Sequence, residues 1–263
     1  MIVSTKRLMP CNPAGSPPIK KSRSEEPAEI CLNTVLISGV ISYMDGPDLE
    51  CFIKTFSKNR EYILVAVNNN GLALQYASQE LKGDRGVVMA AVSQNGGSLY
   101  FASATLKGDR DVVMAAVKQD GGALQFASKE LKGDREVVLA AVRQNGHALF
   151  FANEELKGDC DVVMEAVKQY GLALCFASEE LKGDRGVVMA AVSQNSQALK
   201  YASKELKDDR DVVITAVRQN VNALRFASLE LQADRYLNPN SITFQEEPWL
   251  GLVPSPLVRQ TNG

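Results

Sequence analysis

One 25-residue phrase recurs along most of this chain. Copies begin at Phe56, Leu81, Leu106, Leu131, Leu156, Leu181 and Leu206, and an eighth starts at Leu231 before the pattern stops. Each copy reads approximately L-K-G-D-R-x-V-V-x-x-A-V-x-Q-N-G-x-A-L-x-F-A-S-x-E. A fixed period of this length is typical of proteins that stack one small structural unit many times. The sequence therefore predicts seven full repeats between residues 56 and 235.

The copy that starts at Leu131 predicts two short helices. Gly133 is expected to end the preceding helix in the left-handed conformation, and Asp134 to cap the free N–H groups of the next one. The apolar residues after Arg135 recur at helical spacing, and Asn145-Gly146 is expected to close this first helix. A second helix is predicted from residue 148 to 157, with its apolar residues on one face.

Two short helices cannot be stable alone, because ordering 25 residues costs on the order of 40 kcal/mol. Stacking of neighbouring repeats has to bury the Val, Leu, Ala and aromatic positions. The predicted fold is therefore all-α, a solenoid of short antiparallel helix pairs with an N-terminal helical cap.

The chain is expected to divide into four segments. Residues 1–27 and 236–263 are rich in Pro and polar residues, which predicts a disordered N-terminal tail and a mostly irregular C-terminal tail. Residues 28–55 have a hydrophobic pattern of their own and are predicted to form the helical cap, and residues 56–235 form the repeats. Trp249 and Leu250 in the C-terminal tail are expected to dock on the last repeat or to form a linear motif.

Composition narrows the classes of function. The formal net charge is -2, which argues against a nucleic-acid partner. The longest near-apolar run, from Thr34 to Met44, is too short for a bilayer, which takes about 20 residues, so no membrane association is expected. The five scattered cysteines favour a reducing compartment. A cytoplasmic protein is expected, although the basic PPIKKSR (residues 17 to 23) also fits a nuclear signal.

No catalytic residue, metal site or cofactor is predicted. His147 is the only histidine, and a metal or general-base role would require converging ligands or an orienting carboxylate. It is expected at a solvent-facing helix start. The Gly-Asp pairs lack the Lys-Ser/Thr of a phosphate loop. A non-enzyme is expected, with an enzyme hidden in the repeats as an unfavoured alternative.

Binding specificity in a solenoid has to come from positions that vary between copies, since the constant positions are needed for stacking. Variable positions on the two helices predict a partner-binding surface, in which aromatic and Arg side chains are the best anchors. The predicted residues are Tyr100, Gln125, Arg143, His147, Phe150, Lys168, Lys200 and Arg225. The alternative is that these positions have simply drifted. The partner is expected to be a protein, and the sequence does not specify the oligomeric state.

Two further regularities predict structure rather than binding. Arg recurs in the L-K-G-D-R segment, with Cys160 as the exception, and Glu recurs at the end of the copies, with Thr105 in its place once, which favours an Arg-Glu ladder between helices. Repeats six and seven have Ser196 and Val221 in place of the helix-ending Gly, which predicts a looser turn there.

The segments VVMAAVSQN, DVVMAAVKQDGGALQFAS and DREVVLAAVRQNGHALFFAN resemble a helical repeat family of unknown function. That family is known mainly from effector-like proteins of intracellular bacteria, and from protists and giant viruses. The resemblance spans residues 56 to 235. It implies an all-helical repeat fold and an effector-like protein in a host cytosol, and it implies no reaction.

Residues 32 to 49, LNTVLISGVISYMDGPDL, resemble the start of an F-box, the helical module that docks on the Skp1 adaptor of a cullin-based ubiquitin ligase. The matching residues that this resemblance assigns to Skp1 contact are Leu32, Leu36, Val40, Ile41, Tyr43, Met44, Asp48 and Leu49. Asn33 and Val35 depart from the F-box pattern, and FSKNR (residues 56 to 60) lacks its final Trp. A protein-binding scaffold is the favoured function, and an F-box substrate adaptor is the alternative.

Overall fold

The computed structural model describes residues 56–234 and 236–237. The predicted N-terminal tail, the F-box-like cap and almost all of the C-terminal tail, including Trp249 and Leu250, lie outside the described residues. Within them the chain is an all-α solenoid, as the repeat pattern predicts.

Each repeat contributes a long α-helix, a 3₁₀-helix and a short helix, in that order along the chain. The long helices are Arg60–Asn69, Arg85–Gln94, Arg110–Gln119, Arg135–Gln144, Cys160–Gln169, Arg185–Gln194 and Arg210–Gln219. The 3₁₀-helices are Gly71–Tyr76, Gly96–Phe101, Gly121–Phe126, Gly146–Phe151, Gly171–Phe176, Ser196–Tyr201 and Val221–Phe226. The short helices are Gln79–Lys82, Ala104–Lys107, Leu131–Gly133, Glu154–Lys157, Glu179–Lys182, Lys204–Lys207 and Leu229–Ala233, of which Leu131–Gly133 is a single 3₁₀ turn.

The predicted second helix of each pair is split in two, and its boundaries were therefore wrong. In the fourth repeat the 3₁₀-helix ends at Phe151, Ala152 is extended, and a new helix begins after Asn153. The Asn153 side chain accepts a hydrogen bond from the Leu156 N–H at 2.9 Å, and serines occupy its place in the other repeats. Ser and Asn favour helix starts because their side chains satisfy free N–H groups, so this position interrupts the apolar face.

The long helices start as the sequence predicts. Asp134 is extended, and its carboxylate accepts hydrogen bonds from the Glu136 and Val137 N–H groups at 2.9 and 3.1 Å. The expectation that Gly133, which precedes Asp134, adopts the left-handed conformation was wrong. Gly158, at the matching position of the next repeat, has a right-handed φ of -98°, and Asp208 adopts the same conformation with φ -101°. Glycine is therefore not required there by backbone conformation.

The core runs the length of the array. Each long helix packs against the long helices of the repeats before and after it, and the 3₁₀-helices stack beside them in a second layer. In the fourth repeat Val137, Val138, Ala141 and Val142 are completely buried, as are Ala148 and Leu149 of the 3₁₀-helix. Hence every repeat completes its core with side chains of its neighbours.

Gly146 marks the closest approach between repeats. A Cβ at this position would lie 2.4 Å from the Ala166 carbonyl oxygen of the next long helix. At the matching Gly121 the space is used by the Gln144 side chain, whose Oε1 accepts a hydrogen bond from the Gly121 N–H at 2.6 Å. The small size of Gly146 thus allows this close approach, whereas the turn itself has an extended residue, Asn145, and does not need glycine.

A looser turn at Ser196 and Val221 was also predicted, and the structure contradicts it. The residues before them, Asn195 and Asn220, have φ -150° and -154°, against -149° at Asn145. Ser196 keeps the same bond, since its N–H donates to Gln219 Oε1 at 2.6 Å. Since the turn never depended on glycine flexibility, losing the glycine does not loosen it.

Backbone hydrogen bonds also join neighbouring repeats. When units are counted from one long helix to the next, the N–H of the residue that caps each short helix donates to a carbonyl that precedes the long helix of its own unit, as Asn153 does to Lys132 at 3.0 Å and Ser178 to Lys157 at 2.9 Å. These bonds hold adjacent repeats in register. Among the helices described, none is long and apolar enough to cross a membrane.

Candidate partner-binding surface

The repeated arginines form an ion-pair ladder with aspartates, so the predicted Arg-Glu ladder was wrong. The pairs are Arg60–Asp84 at 2.7 Å, Arg85–Asp109 and Arg135–Asp159 at 2.8 Å, Arg110–Asp134 and Arg185–Asp209 at 2.9 Å, and Arg210–Asp234 at 3.1 Å. Except for Asp234, which follows the last described short helix, each aspartate is the cap of the next long helix, which brings it beside the arginine of the previous repeat. Glu155 and its equivalents are exposed on the short helices instead.

The ladder lowers the pKa of its carboxyl groups. Hydrogen bonding to Arg60, Arg85, Arg135 and Arg185 is the largest cause of the lowered pKa of Asp84, Asp109, Asp159 and Asp209, respectively. A carboxyl whose pKa is lower in the folded state stabilises the fold above its unfolded pKa and loses that effect as pH falls through the folded pKa. Ladder and caps therefore act together only when the aspartates are ionised.

We expect the urea midpoint of unfolding to be steady above about pH 5 and to fall progressively as the pH is lowered through and below the ordinary aspartate range near 4. Asp109→Asn keeps a capping side chain but removes the charge, so its midpoint should depend less on pH over that range. Denaturation curves at a series of pH values measure both. Identical pH profiles for the variant and the parent would contradict a role for the ladder.

Along the second layer of the solenoid runs a stripe of half-buried aromatic side chains, one in each repeat. Its members are Tyr76, Phe101, Phe126, Phe151, Phe176, Tyr201 and Phe226. The residue before each of them points outward and varies between repeats, and Tyr100 and Phe150 are the aromatic ones among these, with exposures of 57% and 51%. The stripe is thus common to all repeats, and the side chains that vary between repeats lie next to it on the outer surface.

An aromatic cluster lies across repeats four and five. It consists of the five residues His147, Phe150, Phe151, Tyr170 and Phe176. Residues three apart lie one above the other on a 3₁₀-helix, which places His147 and Phe150 on the same side. Both rings have their centres 5.1 Å from that of Phe176 in the next repeat.

Tyr170 joins the aromatic cluster at the cost of a helix cap. Its position is held in the other repeats by Asn or Asp, whose side chain accepts a hydrogen bond from the N–H two residues later, as Asn145 does from His147 at 3.0 Å. Tyr170 makes no such bond, and its ring lies 6.2 Å from the His147 ring with 36% of the residue exposed. The sequence thus breaks its own capping rule at this one repeat.

The predicted cationic residues on the long helices form a separate group. Arg143 Nε donates to Glu165 Oε2 at 3.1 Å, and Lys168 Nζ lies 3.7 Å from Glu165 Oε1. Glu165 replaces the Ala found at this place in most other repeats. The two positive side chains therefore share one carboxylate, which compensates one of their two charges.

The remaining predicted residues are exposed but are not brought together. Lys107 lies 5.5 Å above the Tyr100 ring, Lys200 lies 5.4 Å from the Tyr201 ring, and the Arg225 guanidinium lies 4.6 Å from the Phe226 ring. Gln125 is exposed on its 3₁₀-helix between them. Of the eight predicted partner-binding residues, only His147 and Phe150 belong to the aromatic cluster.

Sequence reasoning missed Tyr170, Phe176 and Glu165. Tyr170 and Glu165 could have been found as departures from a column that is mostly Asn and a column that is mostly Ala, respectively. Phe176 carries no such signal, because an aromatic residue occupies its place in every repeat. Its role depends on the stacking of repeat five against repeat four.

Two shallow depressions border these groups. One of about 320 Å³ is lined by Asp120, Gln144, Asn145, Gly146, His147, Gln169 and Tyr170, beside the aromatic cluster. The other, of about 300 Å³, surrounds the Arg143–Glu165 pair. Within the residues that the structure describes, there is no group of three or more His, Cys, Asp or Glu side chains that could hold a metal ion.

Comparison with known proteins finds one family. The family described as "Domain of unknown function (DUF4116)" matches residues 59–107, 109–157, 134–182, 159–207 and 184–232. No curated protein and no solved structure matches the chain.

Proposed function

Because the chain belongs to the DUF4116 family, whose description names no activity, we propose its function from its surface: a non-catalytic scaffold that binds a protein partner through the aromatic cluster. Tyr170 carries the proposal. Replacing a capping Asn costs about 1 kcal/mol, and the stacking of the repeats gains no buried core from an exposed ring. Loss of a local stabilising feature without structural gain is typical of functional positions.

The chemistry of the aromatic cluster supports protein binding. Aromatic side chains at interfaces combine a large apolar area with little conformational freedom, and they dominate interface energies. Phe150 is half-exposed, yet its ring is already held by Phe151 and Phe176, with ring centres 5.1 Å apart in both cases. The rings are thus preorganised, which lowers the entropy lost on binding.

Tyr170→Asn separates stability from binding. The new Asn side chain is expected to accept the hydrogen bond from the residue 172 N–H, as Asn145 does from His147, and to raise the free energy of unfolding by about 1 kcal/mol. Partner capture should fall at the same time. Urea denaturation measures the first effect. A variant that is neither more stable nor weaker in capture would contradict the proposal.

Capture is tested with a photo-crosslinking amino acid in place of Phe150, and in place of Ser93 as a control on a long helix. We expect a specific crosslinked protein from position 150 that is absent at position 93. The product should be lost when His147→Ala and Tyr170→Asn are added to the crosslinking chain. Equal products from both positions, or a product that survives both changes, would show that the aromatic cluster does not bind the partner.

A second candidate rests on the F-box-like residues 32 to 49. In this second candidate function, Skp1 is bound by Leu36, Val40, Tyr43 and Leu49. The protein to be ubiquitinated is bound by the repeats. Purified chain and Skp1 should then form a complex on gel filtration that Leu36→Asp and Leu49→Asp both abolish. A complex unaffected by these changes, or no complex at all, removes this candidate and leaves the scaffold proposal intact.

The resemblance to effector-like proteins extends the proposal to the compartment in which the scaffold acts. A scaffold of this kind would act in the cytosol of a host cell, where its partner would be a host protein. The identity of the crosslinked product tests this part directly.

A further inference from the structure

The depression of about 320 Å³ beside the aromatic cluster has an unusual lining. Asp120 is the only Asp, Glu, Lys or Arg among its seven lining residues, and the rest are amides, Gly146 and the rings of His147 and Tyr170. A negative charge at one side and two aromatic rings at another make a site that favours a cation with a flat, polarisable surface.

Asp120 and Tyr170 are both departures from the same column. In five of the seven repeats this column holds Asn, at positions 70, 95, 145, 195 and 220. Asp120 still performs the local task of that Asn, because its Oδ1 accepts a hydrogen bond from the Gly122 N–H at 2.9 Å. The charge of Asp120 is therefore not required by the fold, since a neutral Asn caps equally well.

The amide side chains of the depression are partly engaged. Gln144 Oε1 accepts from Gly121 and Asn145 Oδ1 accepts from His147. In four other repeats the counterparts of Gln169, namely Gln119, Gln144, Gln194 and Gln219, each accept from the residue that starts the preceding 3₁₀-helix, at 2.6 Å. No such bond joins Gln169 to Gly146 among the described residues, so the side-chain Oε1 of Gln169 is available as an acceptor, whereas its backbone oxygen accepts from Gln194 Nε2.

We propose that this depression is a binding site for an arginine side chain of the partner protein. A guanidinium has five N–H donors in a plane, so it can bond to the Asp120 carboxylate and the Gln169 amide oxygen while its face lies against an aromatic ring. Lysine is a point charge without that flat face. The inference rests on the proposed function, since it names the chemistry by which the partner is recognised beside the aromatic cluster.

The probe is N-acetyl-arginine amide, added to the full-length chain labelled with ¹⁵N. We expect saturable shifts of the Gly146 and His147 amide signals, and a dissociation constant at least fivefold lower than that of N-acetyl-lysine amide. Asp120→Asn should raise the arginine dissociation constant at least fivefold while the fold is unchanged, because Asn is the ordinary residue of this column. Tyr170→Asn should also raise the dissociation constant of the arginine probe.

Asn95→Asp is the matched control. It places a carboxylate in the same column, but residue 145, two repeats further on, is Asn rather than an aromatic residue. It should not create a second site. The inference would be overturned if the arginine and lysine probes bound equally well, or if Asp120→Asn left arginine binding unchanged. It would also be overturned if Asn95→Asp created a second site that binds the arginine probe as tightly as the site at Asp120.

The outcomes distinguish this inference from the proposed function. If position 150 still captures a partner but the probe does not bind, the arginine site is wrong and the scaffold stands. If the probe binds in an Asp120-dependent way and position 150 captures nothing, the scaffold proposal fails and a guanidinium site remains.

Discussion

A valine in place of Gly146 is expected to lower the free energy of unfolding by about 3 kcal/mol, at the upper end of the usual effect of overpacking. The new Cβ would lie 2.4 Å from the Ala166 carbonyl oxygen and 2.9 Å from Tyr170 Cβ, so the backbones of two repeats would have to move apart. Because repeats contact only their neighbours, the damage should be confined to the joint between repeats four and five. Denaturation should then separate into two transitions.

The matched control is Gly158→Asp, which introduces a larger side chain at another glycine of the same unit. Its nearest neighbour would be the Glu155 carbonyl oxygen at 3.4 Å, an ordinary contact, and Asp208 already occupies the matching position of a later repeat. We expect its effect to stay within about 0.5 kcal/mol, as for most surface changes. Urea curves followed by circular dichroism compare the two variants. Equal loss of stability in both would refute the close-approach explanation.

Ser98→Ala is expected to stabilise the fold by about 2 kcal/mol. Ser98 is completely buried, and its hydroxyl has no hydrogen-bond partner among the described residues. The equivalent position is Ala in every other repeat. Removing a buried, unsatisfied hydroxyl recovers its desolvation penalty of roughly 1–3 kcal/mol.

The reverse change provides the control for Ser98. Ala148 is the completely buried equivalent in the fourth repeat, and Ala148→Ser should cost about as much as Ser98→Ala gains. Shifts in the urea midpoint with an unchanged slope would measure both. Destabilisation by Ser98→Ala would contradict the assignment of an unsatisfied hydroxyl.

The repeat pattern predicted the fold class, the start of each long helix and most of the core. The valines and alanines of the long helix recur at helical spacing, and Asp134 precedes them as a cap; both signals are local and need no knowledge of neighbours. The stacking of repeats could also be predicted, because one unit alone cannot bury enough apolar area to be stable.

Details that depend on the distance between repeats could not be predicted. Gly146 was interpreted as a helix stop, although its small size serves the approach of the next long helix. Arg135 was expected to pair with a glutamate at the end of a copy, because the wheel of a single helix cannot show that the cap of the following long helix, Asp159, lies within 2.8 Å of it. The break at Asn153 was visible in principle, since Ser and Asn start helices, but the apolar residues around it favoured one continuous helix.

The candidate site was predicted only in part for the same reason. His147 and Phe150 vary between copies and lie three residues apart, so the sequence could identify both. Tyr170 is 20 residues away from Phe150 in sequence and belongs to the next repeat, and only stacking brings its ring to His147. Variation between copies is thus a useful guide to binding residues, whereas their grouping depends on the geometry between repeats.

The bonds between repeats have a consequence for the evolution of such a chain. Both kinds of link between units, the backbone bonds such as Asn153–Lys132 and the arginine ladder, reach no further than the adjacent unit. The stretch LKGDRGVVMAAVSQN occurs at residues 81–95 and again at 181–195. Recombination between these copies would excise 100 residues, four whole units, and rejoin ends that still meet in phase. The shortened array would fold, but the excised block contains the whole aromatic cluster.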